Sequence, residues 1–146
     1  MAEITIHRLG HLGDGISHDP ELGPIFAQLV LPGEVVTGEI TGDRMVDPKI
    51  VTPSSDRVAP PCPHFKACGG CSLQHASDSF VADWKTEVVR KALVAHGLEA
   101  EMRPIQTSPP RSRRRATLAG TRTKKGALIG FHARKSETIV PIRDCF

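Results

Sequence analysis

Four cysteines are the residues of this 146-residue sequence best suited to chemistry. Cys62, Cys68 and Cys71 lie close together in a C-x5-C-x2-C pattern. Cys145 follows much later in the chain. Four thiolates can enclose a [4Fe–4S] cluster or a tetrahedral zinc ion, because both accept soft sulfur ligands. Three near ligands with one remote ligand favour the cluster, since structural zinc usually takes paired C-x2-C knuckles. Zinc stays as the alternative.

The cellular compartment of the protein determines whether its cysteines are expected to bind metal or to form disulfides. The segment Met1 to Gly10 has no basic stretch followed by an apolar one, and no segment reaches the roughly 18 apolar residues of a membrane helix. We therefore expect a cytoplasmic protein with no membrane partner, in which clustered cysteines bind metal more often than they form disulfides. His64 and His75 could each replace a cysteine in a zinc site. We interpret both as partly exposed polar residues beside the cluster.

Charge is divided unevenly along the chain. The formal net charge is only +3, yet residues 1–102 hold eight Lys or Arg against fourteen Asp or Glu, whereas residues 103–146 hold eleven against two. A basic segment of this kind usually binds a polyanion, and nucleic acid is the polyanion we expect here. The run Arg111 to Arg115 is its densest part. The competing interpretation of such a run is a solvated charged strand.

Short apolar runs separated by Gly and Pro cover the first third of the sequence. The runs are Ile4–Ile6, Ile25–Leu31, Glu34–Ile40 and Lys49–Thr52. Their length predicts strands of a small all-β barrel, because closing the sheet removes its exposed edges. We assign the barrel to residues 1–55 and the cysteine-containing region to residues 56–146.

One helix and a β-meander are predicted in the second region. Apolar side chains recur at helical spacing at Phe80, Trp84, Val88, Ala92 and Ala95. With Ser77 and Gly97 suited to its two ends, this pattern predicts a helix over about residues 78–96. A meander is predicted over residues 112–143, with strands at Arg113–Thr123, Ala127–Ala133 and Thr138–Ile142. The fold class is therefore mainly β with one helix (α+β).

Several stretches together resemble one enzyme family. Cys62–His75 reads CPHFKACGGCSLQH, and Leu9–Ile16 and Leu31–Val36 read LGHLGDGI and LPGEVV. Downstream are Arg113–Ala116, Gly130–Phe131 and Ile139–Val140, which precede Cys145. The first stretch resembles the cluster motif of the RNA uracil-5-methyltransferases, above all the type that acts on 23S ribosomal RNA. The next two resemble the OB-like TRAM domain of these enzymes. The chain departs from the family pattern at Thr117 and His132, where Arg is usual.

The resemblance implies the N-terminal TRAM and iron–sulfur region of an enzyme that methylates C5 of uracil in RNA, with ribosomal RNA as the expected partner. It implies a [4Fe–4S] cluster on the four cysteines. It also implies a C-terminal domain that holds S-adenosylmethionine and a nucleophilic cysteine, and neither can be placed on these residues. We therefore expect no catalytic residue in this chain and no activity from it alone. We further expect a monomer whose catalytic domain packs on the helix region 78–96.

The candidate RNA contacts are the basic residues of the meander. They are Arg113, Arg114, Arg115, Arg122, Lys124, Lys125, Arg134 and Lys135. A different class of function competes with the enzyme hypothesis. In it, the chain is a stand-alone RNA-binding module stabilised by zinc or by an iron–sulfur cluster, with no catalytic role.

Overall fold

The structure is a computed structural model that describes residues 1–145. The chain forms two compact units. The first combines Met1–Val58 with His75–Met102, and the second combines Ala59–Gln74 with the segment from Arg103 onward. The division predicted from the sequence, at residues 1–55 and 56–146, stays a prediction, and Phe146 lies outside the described residues.

The first unit is built on a six-stranded sheet with the order β1-β5-β6-β4-β3-β2. Its strands are β1 Ala2–Thr5, β2 Arg8–Leu9, β3 Gly15–Asp19, β4 Gly23–Ala27, β5 Val35–Thr41 and β6 Arg44–Thr52. Neighbouring strands pair antiparallel except β4 and β6, which pair in parallel through Phe26–Arg44 and Ala27–Met45. Antiparallel pairing allows the short turns that the Gly and Pro spacing predicts.

The sheet curls on itself around one apolar core. Its two edge strands, β1 and β2, are consecutive in the chain. Between them, the Ile6 N–H donates to the Glu34 carbonyl at 2.9 Å and the His7 N–H donates to the Ile16 carbonyl at 2.9 Å. These bonds attach the residues between β1 and β2 to the rest of the sheet, so that little of its edge stays unpaired. The buried core residues are Ile6, Ile25, Ala27, Val30, Val36 and Met45.

A buried ion pair fixes the turn that precedes β5. The carboxylate of Glu34 is fully buried and accepts hydrogen bonds from Leu31 N–H at 2.7 Å and Ser54 N–H at 3.1 Å. Arg57 donates two hydrogen bonds to the same carboxylate, one of them from Nη2 at 2.7 Å, and a third from Nη2 to the Leu29 carbonyl at 2.9 Å. Each carboxylate oxygen is therefore satisfied, as a buried charge requires.

One helix, α1 Asp78–Ala95, follows in this unit, as predicted. Ser77 caps its start by accepting a hydrogen bond from Phe80 N–H at 3.3 Å. At the other end Gly97 has a positive φ of 70°, and the Leu98 N–H donates to the Leu93 carbonyl at 3.0 Å. That geometry is a Schellman cap, which glycine adopts without strain. None of the helix residues is buried, and Val89 and Val94 are about half exposed.

The second unit contains a three-stranded antiparallel sheet in the order β7-β8-β9. Its strands are β7 Ala119–Thr123, β8 Gly126–His132 and β9 Ile139–Pro141. The predicted first strand, Arg113–Thr123, is therefore wrong over its first half. Ala119 is the first residue with a partner on β8, so the residues before it have no neighbouring strand with which to pair. They form a segment without regular structure.

The fold class predicted from the sequence, mainly β with one helix (α+β), is confirmed. The OB-like TRAM assignment of the first sheet remains a prediction. Within residues 1–145, no helix combines the length and apolar character needed to cross a bilayer.

Candidate metal and nucleic-acid site

The three clustered cysteines lie on a loop of tight turns in the second unit. The Phe65 N–H donates to the Cys62 carbonyl at 3.2 Å, and the Cys68 N–H donates to the His64 carbonyl at 2.8 Å. Cys62 and Cys68 are buried, and Cys71 is half-buried. Short local hydrogen bonds of this kind hold a loop that has no regular secondary structure.

The β8–β9 hairpin fixes this loop from one side. The Gly69 N–H donates to the His132 carbonyl at 2.8 Å, and Cys68 forms an isolated β-bridge with Ala133. A side chain at Gly69 would place Cβ only 2.7 Å from the His132 carbonyl oxygen. Glycine is therefore required at this position, because the two backbones approach too closely for any Cβ.

All four cysteines line one cavity of about 810 Å³. Its other walls come from Phe65, Gln74 and Phe131, and from the irregular segment Ser108–Ala116. The Gly70 N–H donates to Sγ of Cys68 at 3.3 Å.

The fourth cysteine interacts electrostatically with the other three. Partial burial raises the pKa of the Cys145 thiol, and the charges of Cys71, Cys62 and Cys68 raise it further, while Arg113 acts in the opposite direction. Cys145 itself is exposed. Because Cys145 lines the same cavity as the other three cysteines, the fold brings the remote cysteine to the cysteine loop.

The four thiols do not form a finished ligand cage. Among residues 1–145, no three His, Cys, Asp or Glu side chains converge closely enough to hold a metal ion as they stand. The described cysteines form no disulfide. They line one cavity without converging on a single point in it.

Most of the predicted RNA-contacting residues are exposed. Arg113, Arg114 and Arg115 lie on the irregular segment and line the cysteine cavity, whereas Arg122, Lys124 and Lys125 lie on β7 and the turn after it. In the part of the chain that the structure describes, none of these six side chains forms an ion pair. Their charge is therefore not neutralised by a neighbouring carboxylate.

Arg134 and the two histidines differ from these six residues in their burial and in their hydrogen bonds. Arg134 is half-buried and donates to the Phe65 carbonyl at 2.8 Å, whereas the neighbouring Lys135 is exposed. His64 is half-buried, as expected, and its Nε2 accepts from Arg143 N–H at 3.4 Å. His75 was expected to be partly exposed, which is wrong: it is buried, with Nε2 3.3 Å from the Val30 carbonyl. The Val30 carbonyl can accept a hydrogen bond from Nε2–H of this buried ring.

Phe131 is a site residue that reasoning from the sequence treated only as part of a motif. Its ring lines the cysteine cavity and a second, more open cavity of about 720 Å³ beside Arg113, Arg114 and Arg115. With only five Phe, one Trp and no Tyr in the chain, an aromatic residue in a basic meander was an available signal.

No protein-family model matches the chain. Individual curated proteins do match it over nearly its whole length. The chain is 42% identical to an uncharacterized RNA methyltransferase of Caulobacter vibrioides, over 99% of this chain and 35% of that protein. It is 39% identical to an uncharacterized RNA methyltransferase of Brucella suis, over 98% of this chain and 34% of that protein.

A relative with a more specific name also matches. The chain is 34% identical to the 23S rRNA (uracil(1939)-C(5))-methyltransferase RlmD of Halomonas elongata, over 98% of this chain and 31% of that protein. The chain thus spans about a third of the length of the curated relatives it matches. The resemblance to RNA methyltransferases inferred from the sequence motifs is confirmed.

Proposed function

We propose that this chain is the RNA-binding and [4Fe–4S]-binding portion of an S-adenosylmethionine-dependent RNA uracil-5-methyltransferase, with 23S ribosomal RNA as the substrate. The observation that carries this proposal is that Cys62, Cys68, Cys71 and Cys145 line one cavity, which Arg113, Arg114 and Arg115 also line. The candidate metal ligands and three candidate phosphate-binding cations therefore line the same cavity.

The chemistry of the cavity suits an iron–sulfur cluster. Four sulfur donors are available, and N–H···S hydrogen bonds such as that from Gly70 to Cys68 stabilise anionic sulfur. The positive charge of Arg113 near Cys145 offsets part of the negative charge that four thiolates would gather. When bound, the cluster would tie Cys145 at the end of the meander to the cysteine loop, which adds a covalent staple to a unit with a small apolar core.

Binding of RNA is proposed for the basic residues of the meander. The set consists of Arg113, Arg114, Arg115, Arg122, Lys124, Lys125, Arg134 and Lys135. The first six form no ion pair within the described residues, and such cations gain most from phosphate, because binding releases the counterions condensed on the nucleic acid. The half-buried Arg134 would contribute less to phosphate binding than the others, since its guanidinium already contacts Phe65.

Methyl transfer is proposed for the whole protein, with S-adenosylmethionine and a nucleophilic cysteine supplied by a catalytic domain outside these 146 residues. We propose that this domain packs on the region of α1. This 18-residue helix has no buried residue, and apolar side chains such as Val89 stay about half exposed, so a further domain could bury them. The protein is proposed to be monomeric and to act in the cytoplasm, where the reduced state of its cysteines would persist.

The metal content of the purified chain tests this proposal. Protein purified without oxygen should be brown and contain about four irons per chain, as a cubane with four thiolate ligands requires. Cys68→Ser should lose the iron and the colour, whereas Ser72→Ala, a neighbouring change that removes no thiol, should keep both. Stoichiometric zinc without iron in natively expressed protein would overturn the iron–sulfur assignment.

A further inference from the structure

The open cavity beside Phe131 combines an aromatic ring with three cations. It measures about 720 Å³ and is lined by Arg113, Arg114, Arg115, Ala116, Thr117 and Phe131. Its volume falls within the range of about 300–1,000 Å³ that is usual for small-ligand pockets. No acidic residue lines it. The lining therefore fits a ligand that has both an aromatic face and a negative charge.

We propose that this cavity binds one nucleotide of single-stranded RNA, with its base against the ring of Phe131 and its phosphate at Arg113–Arg115. Stacking on an aromatic side chain and attraction of phosphate to arginine are the two interactions by which proteins hold single-stranded nucleic acid. The hydroxyl of Thr117 can donate to or accept from the edge of the base. The inference rests on the proposed RNA-binding function and locates a base-contacting subsite within it.

The ring of Phe131 is held in place by rigid neighbours. Phe131 lies on β8, the central strand of its sheet, and pairs with Val140 on β9. A Cβ at Gly70 would lie 3.5 Å from Cδ2 of Phe131, so the ring packs directly against the backbone of the cysteine loop. A ring fixed in this way loses little conformational entropy when a base stacks on it.

The cations come from a segment that is less constrained. From Ser112 to Ala116, the backbone groups form no hydrogen bond to another backbone group of the described residues. Such a segment can adjust to the position of a phosphate while the ring stays fixed. Because Phe131 and the three arginines line the cysteine cavity as well, a nucleotide bound here would lie next to the proposed metal centre.

Binding of short oligomers by the full 146-residue chain, purified without oxygen, tests the subsite. We expect a labelled oligouridylate to bind about 10-fold tighter than an abasic ribose-phosphate oligomer of equal length, as removal of one stacked base predicts. Phe131→Ala and Phe131→Leu should remove that preference without changing the salt dependence of binding, and Phe131→Tyr should retain it. Ile129→Ala should also retain it, since Ile129 is exposed on the same strand but lines neither cavity.

A cross-linking measurement covers the case in which the Phe131 variants fail to fold. A 5-iodouridine oligomer, irradiated on the unsubstituted chain, should cross-link to the peptide that contains Phe131. A contrary result would be that the oligouridylate binds with a steep salt dependence, yet no more tightly than the abasic oligomer and with no cross-link to the Phe131 peptide. That result overturns the subsite while the proposed RNA-binding function stands. If neither oligomer binds the unsubstituted chain at low salt, both are overturned.

Discussion

The guanidinium of Arg134 lies over the ring of Phe65, with Cζ 4.8 Å from the ring centroid, and Nη2 of the same side chain donates to the Phe65 carbonyl at 2.8 Å. Phe65 is buried and sits between the first two cysteines of the loop. One side chain of the meander therefore clamps both the ring and the backbone of the cysteine loop. This arrangement suggests that Arg134 positions the cysteines.

Replacement of Arg134 should accordingly loosen the metal centre. A partly desolvated cation–π contact contributes roughly 1–2 kcal/mol, so Arg134→Ala should lose iron to a chelator about 10-fold faster than the unsubstituted chain. The rate can be followed by the decay of visible absorbance. Arg122→Ala is the matched control, because it removes an equal charge from an exposed position and should leave that rate unchanged. Equal rates of iron loss from the two variants would show that Arg134 does not position the cysteine loop.

The buried carboxylate of Glu34 makes stability depend on acid pH. Burial acts to raise the pKa of Glu34, but Arg57 and the N–H groups of Leu31 and Ser54 outweigh burial, so the pKa lies below its ordinary value of 4.5. A lowered pKa stabilises the folded state fully above the unfolded value, and this contribution is lost as the pH falls through the folded value. The free energy of unfolding should therefore decrease as the pH is lowered below about 4.5.

Glu34→Gln separates this contribution from other acid effects. At pH 7 the variant leaves Arg57 without its charged partner and should lower the free energy of unfolding by about 3 kcal/mol, as for other broken buried ion pairs. Because glutamine does not titrate, the difference between the two proteins should shrink as the pH falls, which urea unfolding at several pH values would measure. A difference that stays constant down to about pH 3 would show that Glu34 is not the titrating group.

The sequence indicated some elements well because the signal was local. For α1, the helical spacing of Phe80 and Trp84 and the end residues Ser77 and Gly97 are all contained in one segment. Strand β3, Gly15–Asp19, lies outside the apolar runs from which the barrel was predicted, because GISHD has no apolar alternation, and it pairs with β4 along its whole length. Pairing also explains the error at Arg113–Leu118, because these residues have no partner strand.

In the site too, the sequence predicted what local spacing encodes and missed what long-range packing determines. Spacing grouped Cys62, Cys68 and Cys71, and the need for a fourth thiolate added Cys145 as the remote ligand, which the structure places at the same cavity. The contact between Arg134 and Phe65 spans 69 positions in the chain, and no local pattern distinguishes Arg134 from the neighbouring exposed cations. Long-range packing of this kind depends on the whole tertiary structure, which sequence periodicity does not encode.

Methyl transfer provides a separate test of the proposed whole-protein activity. Incubated with S-adenosylmethionine and an RNA that contains the target uridine, the 146-residue chain should form no 5-methyluridine, because no residue in it can be assigned to catalysis. The longer protein should form it under the same conditions. Nucleoside analysis by mass spectrometry measures the product. Formation of 5-methyluridine by the 146-residue chain would contradict this expectation.

The arginine run on the cavity rim should determine how steeply RNA binding depends on salt. Arg113, Arg114 and Arg115 are exposed and form no ion pair within the described residues. Removal of one phosphate-binding cation lowers the slope of log affinity against log salt by about 0.7 for a single strand. Replacement of all three by Ala should therefore weaken binding and flatten the slope by roughly two units.

Iron content and a second triple variant make this result interpretable. Because Arg113 lies near Cys145, the variant must first be shown to retain its iron, since a chain that loses iron would lose affinity through misfolding. Replacing Lys85, Arg90 and Lys91 on α1 by Ala removes the same charge from the other unit and should change the slope by much less. If the iron-replete arginine variant keeps both its affinity and its slope, the run is only a solvated segment. The RNA-binding surface would then have to lie on the other basic residues of the meander or on the six-stranded sheet.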